Sequence, residues 1–284
     1  MYNDTFTTQK NINSIKIAIF SDVHYYYPNY DLKIFKKIKN QIINNKPNYI
    51  CIIGDLIDEQ NITDYNELIN ILNDLSIIAP IIYVMGNHEI KKRINNKWVK
   101  ADSTPLKTAL NNVKNLHLLE DSTIIDTTNN VCFYGFNPSY EHYEKELETM
   151  ESFVKDVNKL KTTLSNDKYN ILLIHTPINI YEYINNNQNS ELAKSDLIIS
   201  GHMHNSCLPF WFTRFINKCF KTTRGIISPQ RRLFPKHAQG INKKTKDGFI
   251  YQGIDKLSIK TGFHNLSKLY SKHVHFITIK KDSK

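Results

Sequence analysis

The chain has 284 residues, 40% hydrophobic and 23% charged, a balance that excludes disordered and fibrous classes and predicts a folded globular protein. Thirty-seven Lys and Arg against 27 Asp and Glu give a formal charge of +10. That favours anionic partners (phosphorylated small molecules, acidic lipid surfaces, nucleic acid) without choosing among them.

In chain order, "IKIAIF" at 15–20 reads as a buried strand and "DLKIFKKIKNQIINN" at 31–45 as a helix. Leu32, Phe35, Ile38, Ile42 and Ile43 are expected on its apolar face. "YICIIGD" at 49–55 is the next strand, and the helix "DYNELINILNDL" at 64–75 opens with Asp64 and Glu67 at capping-box spacing. "PIIYVMGN" at 80–87 is a third strand. "NLHLLE", "STIID" and "VCFYGF" follow one another closely, as in an antiparallel meander, and a charged helix is expected over about 141–164. "YNILLIHTP" and "SDLIISGHMH" are further strands, and the chain finishes with strand-like "GFIYQGI", "KLSIKTG" and "HVHFITI". No repeat or long linker interrupts the pattern, so residues 1–284 are expected to form one α/β domain with two sheets.

Four cysteines, Cys51, Cys132, Cys207 and Cys219, show no C-x-x-C and no framework spacing, which points to a reducing compartment. The polar N-terminus carries no signal-peptide pattern, and no apolar run reaches the ~20 residues of a membrane-spanning helix. The expected location is cytoplasmic.

The main strands end in chemistry. Ser21-Asp22-Val23-His24 follows the first, Gly54-Asp55 the second, Gly86-Asn87-His88-Glu89 the third; His175 and Gly201-His202-Met203-His204 follow later ones. In open α/β sheets ligands bind beyond the carboxyl ends of the strands, so these side chains are expected in one cleft. Asp and His suit Mn2+, Fe2+ or Zn2+. Spacing of i, i+2 lets Asp22 with His24, and His202 with His204, point to the same side of extended chain. The two oxygens of Asp55 can bridge a pair of divalent cations, and the amide oxygen of Asn87 adds a ligand without adding charge. Two such ions roughly 3.5–4 Å apart supply a hydroxide at neutral pH and offset phosphoryl charge. His88 is the natural partner of the leaving oxygen.

The ordered set "DVH", "GD", "GNHE", a lone His and "GHMH" resembles the calcineurin-like metallophosphoesterase superfamily over roughly residues 15–205. The resemblance implies a four-layer α/β/β/α sandwich of two mixed sheets with a dinuclear centre at the sheet ends. It further implies Asp22, His24, Asp55 and His204 around one metal and Asp55, Asn87, His175 and His202 around the other. His88 would meet the substrate, and Asp58 and Glu89 would orient ligands from behind. His117, His142, His237, His264, His273 and His275 fall outside the pattern and read as surface or structural.

Immediately after the last histidines, an amphipathic insertion around 206–236 begins. As a helix over 208–221, Leu208, Trp211, Phe212, Phe215, Ile216, Cys219 and Phe220 form one stripe, with Arg214, Asn217, Lys218 and Lys221 opposite. Such a helix either packs on the protein's own core or lies in a membrane interface. Arg231, Arg232 and Lys236 add charge that anionic lipid headgroups attract. "GHMHN…LPF…GIISPQRRLFPKHAQG" is similar to the bacterial membrane-associated branch of the superfamily, although Asn205-Ser206-Cys207 stands where that branch has Gly-Gly-Gln.

The expected activity is dinuclear, metal-dependent hydrolysis of a phosphodiester or pyrophosphate of a phosphorylated substrate, including a lipid at the inner face of a membrane. A soluble nucleotide or nucleic-acid phosphodiesterase is the alternative, although no nucleic-acid-binding module is recognisable. A non-catalytic scaffold of the same fold is a third reading; it should have lost ligands that this chain keeps.

Overall fold

The computed structural model describes residues 2–26, 32–58, 62, 64–95, 97–144, 148–203, 210–220, 240–243, 249–252 and 274–283. Two six-stranded sheets and one hairpin are built from them. The first sheet contains β1 (Tyr2–Thr8), β2 (Ile15–Phe20), β3 (Tyr49–Ile53), β4 (Ile81–Val84), β7 (Leu116–Leu118) and β14 (His275–Lys281), in the order β1-β14-β2-β3-β4-β7. β2, β3, β4 and β7 run parallel, while β14 is antiparallel to β2 and parallel to β1. The second contains β8 (Ser122–Asp126), β9 (Val131–Gly135), β10 (Tyr169–Leu173), β11 (Leu197–Ser200), β12 (Gly240–Lys243) and β13 (Phe249–Gln252), in the order β12-β13-β11-β10-β9-β8. Its four central strands are parallel and both edges antiparallel. Both sheets are therefore mixed, as expected. The N-terminal strand β1 and the hairpin of β5 (Lys91–Ile94) and β6 (Lys97–Lys100) were not legible as strands. Their residues are largely polar or charged, so they carry little of the apolar signal by which strands are read.

β9, β10 and β11 of the second sheet read as continuous apolar runs because both faces are covered. Phe133, Ile171, Leu173, Leu197 and Ile199 face the core shared with the first sheet. The alternate residues Cys132, Tyr134, Leu172, Ile174 and Ile198 pack with Phe153 and Val157 of α6 (Met150–Val157) and Ile180 and Ile184 of α7 (Ile180–Asn186). On the first sheet, α1 (Lys33–Asn45) and α2 (Asn66–Ser76) contribute Ile38, Ile42, Leu68 and Leu72 to the larger core. Helices, sheet, sheet, helices is the four-layer α/β/β/α order.

Local readings needed correction. The buried face of α1 is Ile34, Phe35, Ile38 and Ile42, whereas Leu32 and Ile43 are 43% and 45% exposed; the stripe leans one residue towards Ile34. Asp64 accepts from Asn66 N–H at 2.8 Å, but no capping box closes, because Glu67 instead takes the Tyr25 hydroxyl. β7 is no part of a meander: it pairs with β4, and the chain crosses to the other sheet before β8. The helix expected over 141–164 is α5 (Tyr140–Glu144) and α6, the latter begun afresh by Thr149, whose side chain accepts from Ser152 N–H at 3.3 Å. "KLSIKTG" lies outside the described residues.

Candidate active site

The carboxyl ends of β2, β3, β4, β10 and β11 meet at one edge of the sandwich. The loops after β2 and β3 are zipped together: Asp22 N–H donates to Gly54 O at 3.1 Å and His24 N–H to Asp55 O at 2.9 Å. Asp22, His24, Asp55 and His202 all have positive φ, between 49° and 67°. Four non-glycine residues held in the left-handed region is a cost that surrounding structure must impose, and such residues cluster at functional sites. Gly54, at φ 70°, has no room for a side chain: a Cβ there would stand 2.5 Å from His175 Nδ1 and 2.6 Å from Gly86 N.

Asp55 is the hub. The Nε2 atoms of His175, His24 and His88 lie 3.3, 3.8 and 4.0 Å from its Oδ2. Asp22, His24 and Asp55 form one group able to hold a metal ion, and Asp55, His175 and His202 a second. Asp55 belongs to both, as a bridging carboxylate would. All five side chains are buried. Burial pushes the Asp55 carboxyl up, but His175, His88 and His24 outweigh it and hold it well below the usual carboxylate range. His175, penalised by burial yet faced by Asp55 and Asp22, is raised to about 10.

The donor set fits a divalent cation, and the tautomers fit as well. His175 Nδ1 is 2.8 Å from Ile53 O, and His202 Nε2 is 2.9 Å from Glu148 Oε1. Each ring thus spends one nitrogen on a protein oxygen. The remaining nitrogens, His175 Nε2 and His202 Nδ1, face each other at 3.2 Å, the tautomer-fixing arrangement of metal-binding histidines. Asn87 Oδ1 is buried without a hydrogen-bond partner, an acceptor left for a cation. A third group, His24, Asp58 and His88, adjoins the other two.

Behind this ring stand two buried carboxylates. Glu89 accepts from the N–H groups of Gly86, Asp55 and Ile57 at 2.6, 3.0 and 3.2 Å, pinning the loops after β3 and β4. Burial and the Asp55 charge push it up to about 7. Glu148 receives His202, Thr176 Oγ1 at 2.5 Å and His142 Nε2 at 3.4 Å. Burial opposes its ionisation, but His202 and His142 overcome this and lower it well below the usual range. Neither Glu148 nor His142 was singled out from the sequence; no motif marks them, and only their position in space links them to the strand ends.

His88 is the more open histidine: its side chain is 13% exposed, against 1% or less for His24 and His175. Its Nδ1 is 3.3 Å from Asp58 Oδ1, and its N–H donates to Asp55 Oδ1 at 2.8 Å. The site therefore gathers Asp22, His24, Asp55, Asp58, Asn87, His88, Glu89, His175 and His202. His204, Arg231 and Arg232 lie outside the described residues. Trp211 and Arg214 fall in α8 (Phe210–Cys219), where Phe212 and Phe215 are 38% and 60% exposed and Lys218 is exposed. Among the described residues no helix is long and apolar enough to cross a membrane.

Solved structures with a similar course of chain include a phosphopantetheinyl hydrolase from Mycobacterium tuberculosis (TM-score 0.46, 11% identity, 92% of this chain and 95% of that one). A 5'-nucleotidase precursor from Thermus thermophilus is another (TM-score 0.45, 12% identity, 86% of this chain), and this chain spans about half of it, 49%. A comparison with curated proteins found no match. The model of the calcineurin-like phosphoesterases matches residues 15–206, a span that includes every motif brought together at this sheet edge. The chain belongs to the calcineurin-like phosphoesterase family, hydrolases of phosphoric esters.

Proposed function

We propose that this chain holds two divalent cations, Mn2+, Fe2+ or Zn2+, and uses them to hydrolyse a phosphodiester or pyrophosphate. Asp22, His24 and Asp55, with His204, would hold one; Asp55, Asn87, His175 and His202 the other. The observation that carries this is the facing pair His175 Nε2 and His202 Nδ1, 3.2 Å apart, beside a carboxylate common to both groups. When bound, the cations supply Lewis acidity and an activated water. The chain's own residues do the rest. Asp55 keeps its negative charge between the two groups. His88, held at Nδ1 by Asp58, presents Nε2 to give a proton to the leaving oxygen. Glu89 and Glu148 fix the loops and rings that carry the ligands.

The test is turnover of bis(p-nitrophenyl) phosphate by the manganese-loaded chain. Removal of metal with a chelator and Asp55→Asn should each abolish it. His88→Ala should lower kcat by about 100- to 10,000-fold with metal content unchanged. Two metal equivalents bound without turnover of any phosphoester would instead favour a scaffold.

The finer reading is that α8 docks the cleft on an anionic membrane at its cytoplasmic face, within a single domain whose insertion spans 206–236. It is supported by the 60% exposure of Phe215 and 73% exposure of Phe220 beside the cation Lys218. Vesicles of phosphatidylglycerol should sediment the chain, in part even at high salt. Phe212→Ser with Phe215→Ser should release it while sparing turnover in solution. A chain that stays in the supernatant points to soluble nucleotides or phosphodiesters.

A further inference from the structure

We propose that the β5–β6 hairpin binds a second anionic group of the substrate, so that the preferred substrates carry a phosphate or comparable anion beyond the one being cleaved. This deepens the hydrolase reading above and rests on it for the position of the scissile group. The hairpin follows directly on α3 (Asn87–Ile90), the turn that bears His88. Its antiparallel register pairs Lys91 with Lys100 and Arg93 with Trp98. Paired and alternate residues share a face, so Lys91, Arg93, Trp98 and Lys100 stand together.

That face borders the candidate centre. The Trp98 and His88 rings are 6.0 Å apart and nearly perpendicular, at 88°. Lys91 Nζ lies 4.6 Å from the Trp98 ring and Arg93 Cζ 6.0 Å, so two cations converge on one indole. Lys91 also donates to Tyr143 O at 3.2 Å, and the Tyr143 ring is 6.1 Å from that of His202. The cationic face thus reaches the surroundings of both His88 and His202.

The charge pattern is not that of an ordinary solvated strand pair, in which opposite signs are mixed. "KKRINNKWVK" contains no acid, and Lys91 and Lys100 are directly opposed, a pairing that weakens a hairpin. Among the described residues, Glu141 acts on Lys100 and Asp102 on Lys92, each from outside the hairpin. A two-stranded sheet is marginal by itself, and five cations concentrated on this one make a positive rim beside His88. An anion extending from the cleft past His88 meets that rim, which also raises the local concentration of such substrates.

The source is a soluble diphosphate or a phosphorylated lipid headgroup, and the experiment separates them. In a Trp211→Phe background Trp98 is the sole tryptophan, the chain having two. Its emission is followed in the metal-free protein on titration with inorganic pyrophosphate, and with phosphatidylcholine vesicles containing a phosphatidylinositol monophosphate. Saturable change with pyrophosphate assigns soluble diphosphates; change with the vesicles alone assigns lipid. Either supports the proposal provided Arg93→Gln with Lys100→Gln weakens binding by about tenfold or more. No change with either probe, or equal binding by the variant, overturns it. In the manganese-loaded chain the variant should keep its turnover of bis(p-nitrophenyl) phosphate, which has a single anionic group; a loss there would mark the hairpin as structural and also overturn the proposal. If the parent hydrolyses nothing while the variant still loses pyrophosphate, the hydrolase reading fails and the anion site stands.

Discussion

His175 and His202 each have a partner that orients the ring, Ile53 O and Glu148. His202 is held by Glu148, so Glu148→Ala should weaken metal binding by about 10- to 100-fold. Glu148→Gln, which keeps an acceptor oxygen, should recover part of that loss. Calorimetric titration with Mn2+ measures both. His175 predicts the pH dependence. Raised to about 10 in the metal-free fold, it stays protonated well above the usual histidine range of about 6.5. A metal must displace that proton, so affinity should rise with pH from about 6.5 to 10, with proton release that scales with buffer ionisation enthalpy. The sign for stability is opposite. A raised folded-state pKa stabilises the metal-free protein fully below about 6.5, and that contribution is lost as pH climbs through about 10.

At the scale of elements, the short loops after β3 and β4 bring ligands from neighbouring strands into register, and Glu89 is the part that locks them. Its three backbone donors belong to residues on both loops. In Glu89→Gln the new amide N–H2 cannot accept from them, leaving at least one buried N–H unpaired. A loss of about 2–3 kcal/mol in chemical denaturation is expected, together with weaker metal binding. Unchanged stability would mean the loops are held by their backbone zipper alone. The hairpin and α8 are elements of another kind: among the described residues neither supplies a member of either core, and Arg93, Lys97, Lys100, Phe212, Phe215 and Lys218 are exposed.

For the molecule as a whole, the site exists only where the sheets meet. Asp22, His24, Asp55 and Asn87 come from the first sheet and His175 and His202 from the second. Lys10 to Asp196 at 2.6 Å and the Tyr49 hydroxyl to Asp126 tie the sheets together. Phe133 fills the space between them, its ring 4.8 Å from that of Tyr49. Phe133→Ala should cost about 3–5 kcal/mol. Because metal binds only the assembled sheets, saturating Mn2+ should restore part of the lost stability by mass action. Denaturation with and without metal tests this; a variant that metal does not stabilise would show that the ligands of a single sheet suffice.

The sequence by itself determined the strands that carry the site, because buried parallel strands leave continuous apolar runs and their ends carry Asp, His, Asn and Gly in an ordered series. It determined the family too, since that ordered series at strand ends is the one the calcineurin-like phosphoesterases share. It could not reveal β1 or the hairpin, whose polar residues are stabilised by neighbours rather than by a pattern of their own. Nor could it separate β7 from β8, since the period of a strand does not say which sheet it joins. Glu148 and His142 were hidden for the same reason: the role of Glu148 comes from meeting His202, more than fifty residues away, and that of His142 from meeting Glu148. Only the tertiary structure decided those matters, because hydrogen-bond partners of buried charges are chosen by which surfaces pack together.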